Sequence, residues 1–134
     1  MAMTRTLDVL VAGTARGEVL RLAAPVSFWG GVDPETGRVV QAGHPSEGAD
    51  TAGRVLVLPA LIGSSSSSAI LVEVLRNGVA PAAILLPAAD AILPIGALVA
   101  AEMGWPTLPI LAGDVSRLET GMHVAVAEDG TVAA

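Results

Sequence analysis

Apolar residues along this chain come in short runs divided by glycine, proline and small polar residues, and each run carries its own signal. Leu7–Ala12 and Glu18–Leu22 are rich in Val and Leu and are parted by Gly13 and Gly17, which predicts two strands paired with one another. Ser27–Gly37 holds two adjacent glycines and an Asp-Pro-Glu turn and predicts a structured loop, with Val39–Gln41 resuming as a strand and Ala42–Gly53 returning to loop. Arg54–Leu58, apolar after its first residue and stopped by Pro59, predicts a buried strand. The five serines Ser64–Ser68 then lead into Ala69–Arg76, whose helix formers and basic end are followed by Asn77-Gly78, so a helix capped by the serines is expected. Ala82–Leu86 predicts a further buried strand, Ile95–Met103 a second helix closed by Gly104, and Leu108–Leu111 another strand. His123–Ala127 and Thr131–Ala133 flank Glu128-Asp129-Gly130, whose Asp-Gly step suits a tight hairpin.

The segment Val79–Ala101 is apolar except for Asp90 and is long enough to cross a bilayer. Pro81, Pro87 and Pro94 would each disturb a spanning helix, and a central Asp costs roughly 2.5–3.5 kcal/mol on insertion scales. A strand, a turn and a buried helix are expected there, and no membrane partner.

Composition sharpens this picture in a few places. The 134 residues suit a single domain, 1–134. Of these, 52% are apolar, but only one Phe and two Trp are aromatic, so the core must be built from aliphatic side chains that favour pleated surfaces. The net charge of -6 comes with no basic cluster to neutralise a row of phosphates, which argues against nucleic acid as a partner. The absence of cysteine removes disulfides, thiolate nucleophiles and sulfur ligation of an iron–sulfur cluster from what this chain can do. Near the N-terminus the apolar stretch Val9–Ala12 is too brief for a secretory core, and a cytosolic location is expected.

The strand–Gly–Ser–helix junction at Gly63-Ser64-Ser65 is the strongest candidate site. Unpaired N–H groups and the positive end of a helix dipole favour an anion there, and a positioned serine can exchange a proton where its alkoxide is stabilised. A serine run is otherwise a linker or plain capping, but a buried strand before it and a helix after it leave little place for a linker. Phe28 and Trp29 side by side suit an interface or pocket wall as well as a core. His44 before Pro45 suits a turn more than an acid–base role, and His123 carries still less weight. Asp33 and Glu35 sit around Pro34 as turn residues rather than as a catalytic carboxylate pair. A P-loop, a dinucleotide fingerprint, a nucleophile elbow and a His/Cys metal spacing are all missing.

In Ser27-Phe28-Trp29-Gly30-Gly31-Val32-Asp33-Pro34-Glu35-Thr36-Gly37, His44-Pro45, the Gly53–Pro59 run and Gly63–Ser68, the chain resembles the aconitase X swivel domain over about Gly13 to Leu111. The resemblance implies an α+β fold: one swivelling β/β/α domain, a mixed sheet or barrel with flanking helices. It implies a small subunit of a hydro-lyase that removes water from a hydroxylated carboxylate only in complex with a large subunit. Cis-3-hydroxy-L-proline is the first expectation for the substrate and mevalonate 5-phosphate the alternative, with a non-catalytic binding or assembly module as the alternative of another class. Any iron–sulfur cluster or metal would then belong to the large subunit. On the same ground Ser64 matches the family's proton-accepting serine, with Ser65 and Gly63 beside the substrate. Leu61 and Ile62 stand where the family commonly has Gly and Arg, so the substrate differs or the partner supplies the missing cation.

Overall fold

In the computed structural model, which describes residues 3–60 and 65–134, eight strands form one mixed sheet whose two ends are consecutive pieces of chain. The strands are β1 (Thr4–Thr6), β2 (Asp8–Val11), β3 (Ala15–Arg21), β4 (Val55–Val57), β5 (Ala83–Leu86), β6 (Ile110–Ala112), β7 (His123–Val126) and β8 (Thr131–Ala133). Their order is β1-β8-β7-β3-β4-β5-β6-β2. β3 is shared: its first half pairs antiparallel with β7 and its second half runs parallel to β4. β4, β5 and β6 continue in parallel, and β2 closes on β6 antiparallel. Between β1 and β2, the Leu7 N–H donates to Gly130 O at 2.9 Å, and Arg5 pairs with Asp114 at 2.9 Å. These links bring the two ends of the sheet together into a nearly closed barrel.

The apolar runs of β4 and β5 follow from burial on both faces, the pattern expected of parallel strands covered on each side. Val55, Val57, Ala83, Leu85 and Leu111 point into the barrel with Val19, Val124 and Val132. The alternate residues Leu56, Leu58, Ile84, Leu86 and Ile110 pack outward against a helical layer. That layer consists of α2 (Ser67–Arg76) and α3 (Ile92–Glu102), joined by a single helical turn, α1 (Phe28–Gly31). The fold is therefore the expected α+β barrel with flanking helices.

Four local expectations are corrected. The two early strands do not pair with one another, because both edges of β3 are taken, by β7 and β4, and β2 finds β6 instead. Val39–Gln41 is not a strand; Val39 and Arg38 make single antiparallel bridges to Val32 and Asp50 within a folded loop. Capping by the serines does not take the expected form: Ser66 holds the N-cap position of α2 but makes no side-chain capping bond, and its carbonyl instead accepts the amides of Ala69 and Ile70. The second helix begins at Ile92, upstream of Pro94, and is buried on one face only. Pro94 is tolerated because a first-turn residue has no intrahelical N–H bond to lose.

Candidate functional site

The parallel strands β3, β4 and β5 all send their C-terminal ends to the same edge, where open α/β sheets place their ligands. Three described stretches gather there: 22–27 after β3, residues 58–60 after β4 together with the turn at Ser65 and Ser66, and 87–91 after β5. Gly63 and Ser64 lie outside the described residues, as do Leu61 and Ile62. Of the expected site residues Ser65 is described: it is exposed, in a turn immediately before α2, and its carbonyl accepts the Ser68 hydroxyl at 3.1 Å.

The serine run is tied down from an unexpected side. Ser67 is buried in the first turn of α2, with its Oγ 3.4 Å from Ser27 Oγ and 3.4 Å from the Trp29 amide, which donates to it. The hydroxyl thus joins the start of α2 to the loop after β3. Sequence reasoning singled out neither Ser27 nor Ser67; their signal was only a small polar residue next to each of two apolar segments. The Phe28–Trp29 pair divides: Phe28 is buried in the helix-side core, whereas Trp29 is 60% exposed. Gly30, at φ +77, gives the turn a left-handed residue directly after Trp29.

On the β5 side, Asp90 accepts the amides of Ile92 at 3.1 Å and Leu93 at 2.9 Å through Oδ2, satisfying two of the unpaired donors that begin α3. Together with Ala60, Leu86, Pro87, Ala88 and Ala89 it lines an open groove of about 240 Å³. Small-molecule sites usually enclose at least about 300 Å³, so this groove is part of a site rather than a whole one. Larger hollows of about 540 and 470 Å³ lie on the outer face of β3, β7 and β8, around Arg16, Ala125 and Ala133, away from this edge.

His44 has a structural position. Its Nδ1 accepts the Ser46 amide at 2.9 Å, which fixes the proton on Nε2, directed at the carbonyls of Ala24 and Pro25 at 3.0 and 3.2 Å. The ring is buried and pins the loop after β3 to the 41–48 turn. Asp33 accepts the Glu35 amide and shapes the turn, and His123 is exposed on β7. With no cysteine in the chain, and no group of three potential ligands among the described residues, the residues do not fit an iron–sulfur cluster or a metal centre. No step through either is derived for this chain.

The family model described as the aconitase X swivel domain matches residues 5–134. The chain belongs to that family. This swivel domain is 48% identical over 101 residues to a cis-3-hydroxy-L-proline dehydratase of Pseudomonas aeruginosa, covering 75% of the chain but 17% of that relative. It is 40% identical over 121 residues to the phosphomevalonate dehydratase small subunit of Thermococcus kodakarensis, covering 90% of the chain and 86% of the relative. The swivel fold superposes on the crystal structure of Thermococcus kodakaraensis aconitase X in its holo-form with a TM-score of 0.87 and 38% identity, over 97% of this chain and 96% of that one. A solution NMR structure of a UPF0107 protein follows at TM-score 0.84 and 32% identity, over 97% of each chain. The aconitase X swivel domain thus occurs both as a dehydratase small subunit and as a minor part of a much longer dehydratase chain.

Proposed function

We propose that this chain is the swivel subunit of an aconitase X-type hydro-lyase, completed by a large catalytic body and acting in the cytosol on a hydroxylated carboxylate. The observation that carries the reading is the incompleteness of the site. A serine turn and an open groove gather at the C-terminal edge of the parallel strands, with no paired acid and base among the described residues beside them. In this reading Ser64 exchanges the substrate proton, and Gly63, Ser65 and the start of α2 hold an anionic group. Loss of a proton and of hydroxide from neighbouring carbons leaves the unsaturated product and water. The higher identity to the Pseudomonas relative favours cis-3-hydroxy-L-proline over mevalonate 5-phosphate.

The test is dehydration of both compounds by this chain co-purified with its genomic neighbour, compared with this chain alone. Turnover of one substrate by the pair, lost in Ser64→Ala with the complex intact, is the expected result. No turnover of either by an intact complex refutes the reading and favours a non-catalytic assembly module, the alternative to which Leu61 and Ile62 point.

A further inference from the structure

His44 is a buried titratable group that the proposed reaction does not use: it is 6% exposed, and main chain occupies both ring nitrogens. Nδ1 accepts the Ser46 amide, and Nε2–H faces the carbonyls of Ala24 and Pro25. Ser46 adds a further tie between the same two segments, its Oγ accepting the Ala23 amide at 3.1 Å. Residues 23–25 of the loop after β3 are therefore held to the 41–48 turn by a serine and by one imidazole in its neutral form. A few residues on, the same stretch reaches the serine run: Ser27 Oγ and the Trp29 amide each lie 3.4 Å from Ser67 Oγ. Hydrogen bonds of these kinds settle near 2.8 and 2.9 Å, so both contacts stand at the outer limit of reach and a small displacement of the loop parts them.

We propose that His44 is a positioning residue for the start of α2, and that gain of a proton at Nδ1 frees the loop after β3 and with it the Ser27–Ser67 contact; its bearing on catalysis rests on the function proposed above. An imidazolium carries N–H on both nitrogens, so Nδ1–H would point at the Ser46 N–H, donor against donor, in a buried position. Imidazoles change charge between about pH 5 and 8. The surroundings offer the new charge no counter-ion. The 22–27 loop and α1 contain no charged residue. In the 41–48 turn Glu47 is the one carboxylate, and its Oε1 accepts the Gly43 amide at 3.2 Å. Of the flanking cations, Arg21 donates to Val115 O and Leu118 O, and Arg38 donates to Gly48 O and lies 3.8 Å from Asp50. Among the described residues the ring makes no ion pair. Proton uptake therefore breaks the Ser46 tie instead of exchanging it for a salt link.

The test is an NMR titration of the isotopically labelled full chain between about pH 8 and 5, following both imidazoles and the backbone amides, for the unaltered chain, His44→Gln and His123→Gln. Glutamine keeps an N–H for the carbonyls but has no proton to gain, and His44→Asn, which keeps an acceptor for the Ser46 amide, is the second variant. The expected result is one midpoint shared by the His44 ring and the amides of Ser46, Ser27, Trp29 and Ser67, lost in both His44 variants and kept in His123→Gln. In the assembled enzyme, kcat should fall about tenfold per pH unit below that midpoint, and not in His44→Gln. Titration of the ring with Ser46 alone, leaving Ser27, Trp29 and Ser67 unmoved, overturns the proposal, as does a ring that gains no proton in this range. An acid limb of kcat that His44→Gln leaves unchanged overturns the link to catalysis. An assembled enzyme inactive at every pH counts against the function proposed above, and the titration of the chain alone still decides the role of His44.

Discussion

Gly96→Ala is a perturbation whose sign can be worked from the structure. Gly96 sits inside α3, where alanine would normally be favoured over glycine by about 1 kcal/mol. A methyl group built there, however, meets Ser68 O at 2.6 Å, Ser68 Cα at 3.2 Å and Leu71 Cβ at 3.3 Å, all on α2. Carbon–oxygen contacts of this kind settle near 3.3 Å, so α2 and α3 must part by roughly 0.7 Å. The obstacle is backbone, which cannot rotate aside. Overpacking against backbone sits in the upper part of the usual range, about 2–3 kcal/mol, and against the propensity gain the net loss is roughly 1–2 kcal/mol. For a domain of this size that is a fall in Tm of about 3–8 °C, read by calorimetry or circular dichroism. Ser68 belongs to the serine run, so under the function proposed above the dehydratase activity of the assembled enzyme should fall further than the lost stability explains at a temperature where the variant is folded. A variant with unchanged or raised Tm would refute the packing argument, because helix propensity would then have decided the outcome.

Other perturbations test separate parts of the fold. His44→Ala leaves the carbonyls of Ala24 and Pro25 and the amide of Ser46 without the imidazole and should cost about 1–2 kcal/mol in urea denaturation, without the activity loss expected of an acid–base residue. Gly130→Ala forces a side chain onto a residue at φ +90 and against Leu7 O, where the barrel closes, so a loss of roughly 2–3 kcal/mol is expected by the same method. Asp114 is held below its usual 3.8 chiefly by the Ser116 hydroxyl and amide, and Asp129 chiefly by the Thr131 amide. Both folded pKa values are depressed, so this stabilisation is present above pH 3.8 and is withdrawn as the pH falls through the lower folded values. Asp114→Asn/Asp129→Asn should therefore flatten the acid limb of a Tm-against-pH curve, and an unchanged limb would show that these exposed turns contribute nothing.

The elements legible in the sequence were those buried on both faces or clearly punctuated. β4 and β5 announced themselves as unbroken aliphatic runs, and α2 by its stop at Asn77-Gly78. Pairing was less legible, because which edge a strand finds depends on what else claims it: β2 and β3 are neighbours in sequence and lie four places apart in the sheet. β1, the sequence Thr-Arg-Thr, has no apolar period and exists as a strand through its partner β8. For α3, Pro94 looked like a boundary, whereas the Asp90 carboxylate two residues ahead of the helix was the better marker of its start. Its uniform apolarity signalled burial, but only one side found cover within this chain. Of the candidate site, the serine run at a strand-to-helix junction was legible as a pattern; the Ser27–Ser67 contact was not, because 40 residues separate two side chains that only the folded sheet brings together.

Because β3 belongs to both halves of the barrel, and β4, β5 and β6 carry the barrel interior on one face and the helical layer on the other, the domain has no seam along which its described parts could slide. Amides at the centre of these strands should exchange with solvent only when the whole domain opens. Any movement of the domain as a whole must then pivot outside this architecture, with the start of α2 and the whole of α3 travelling as fixed points on one rigid lever.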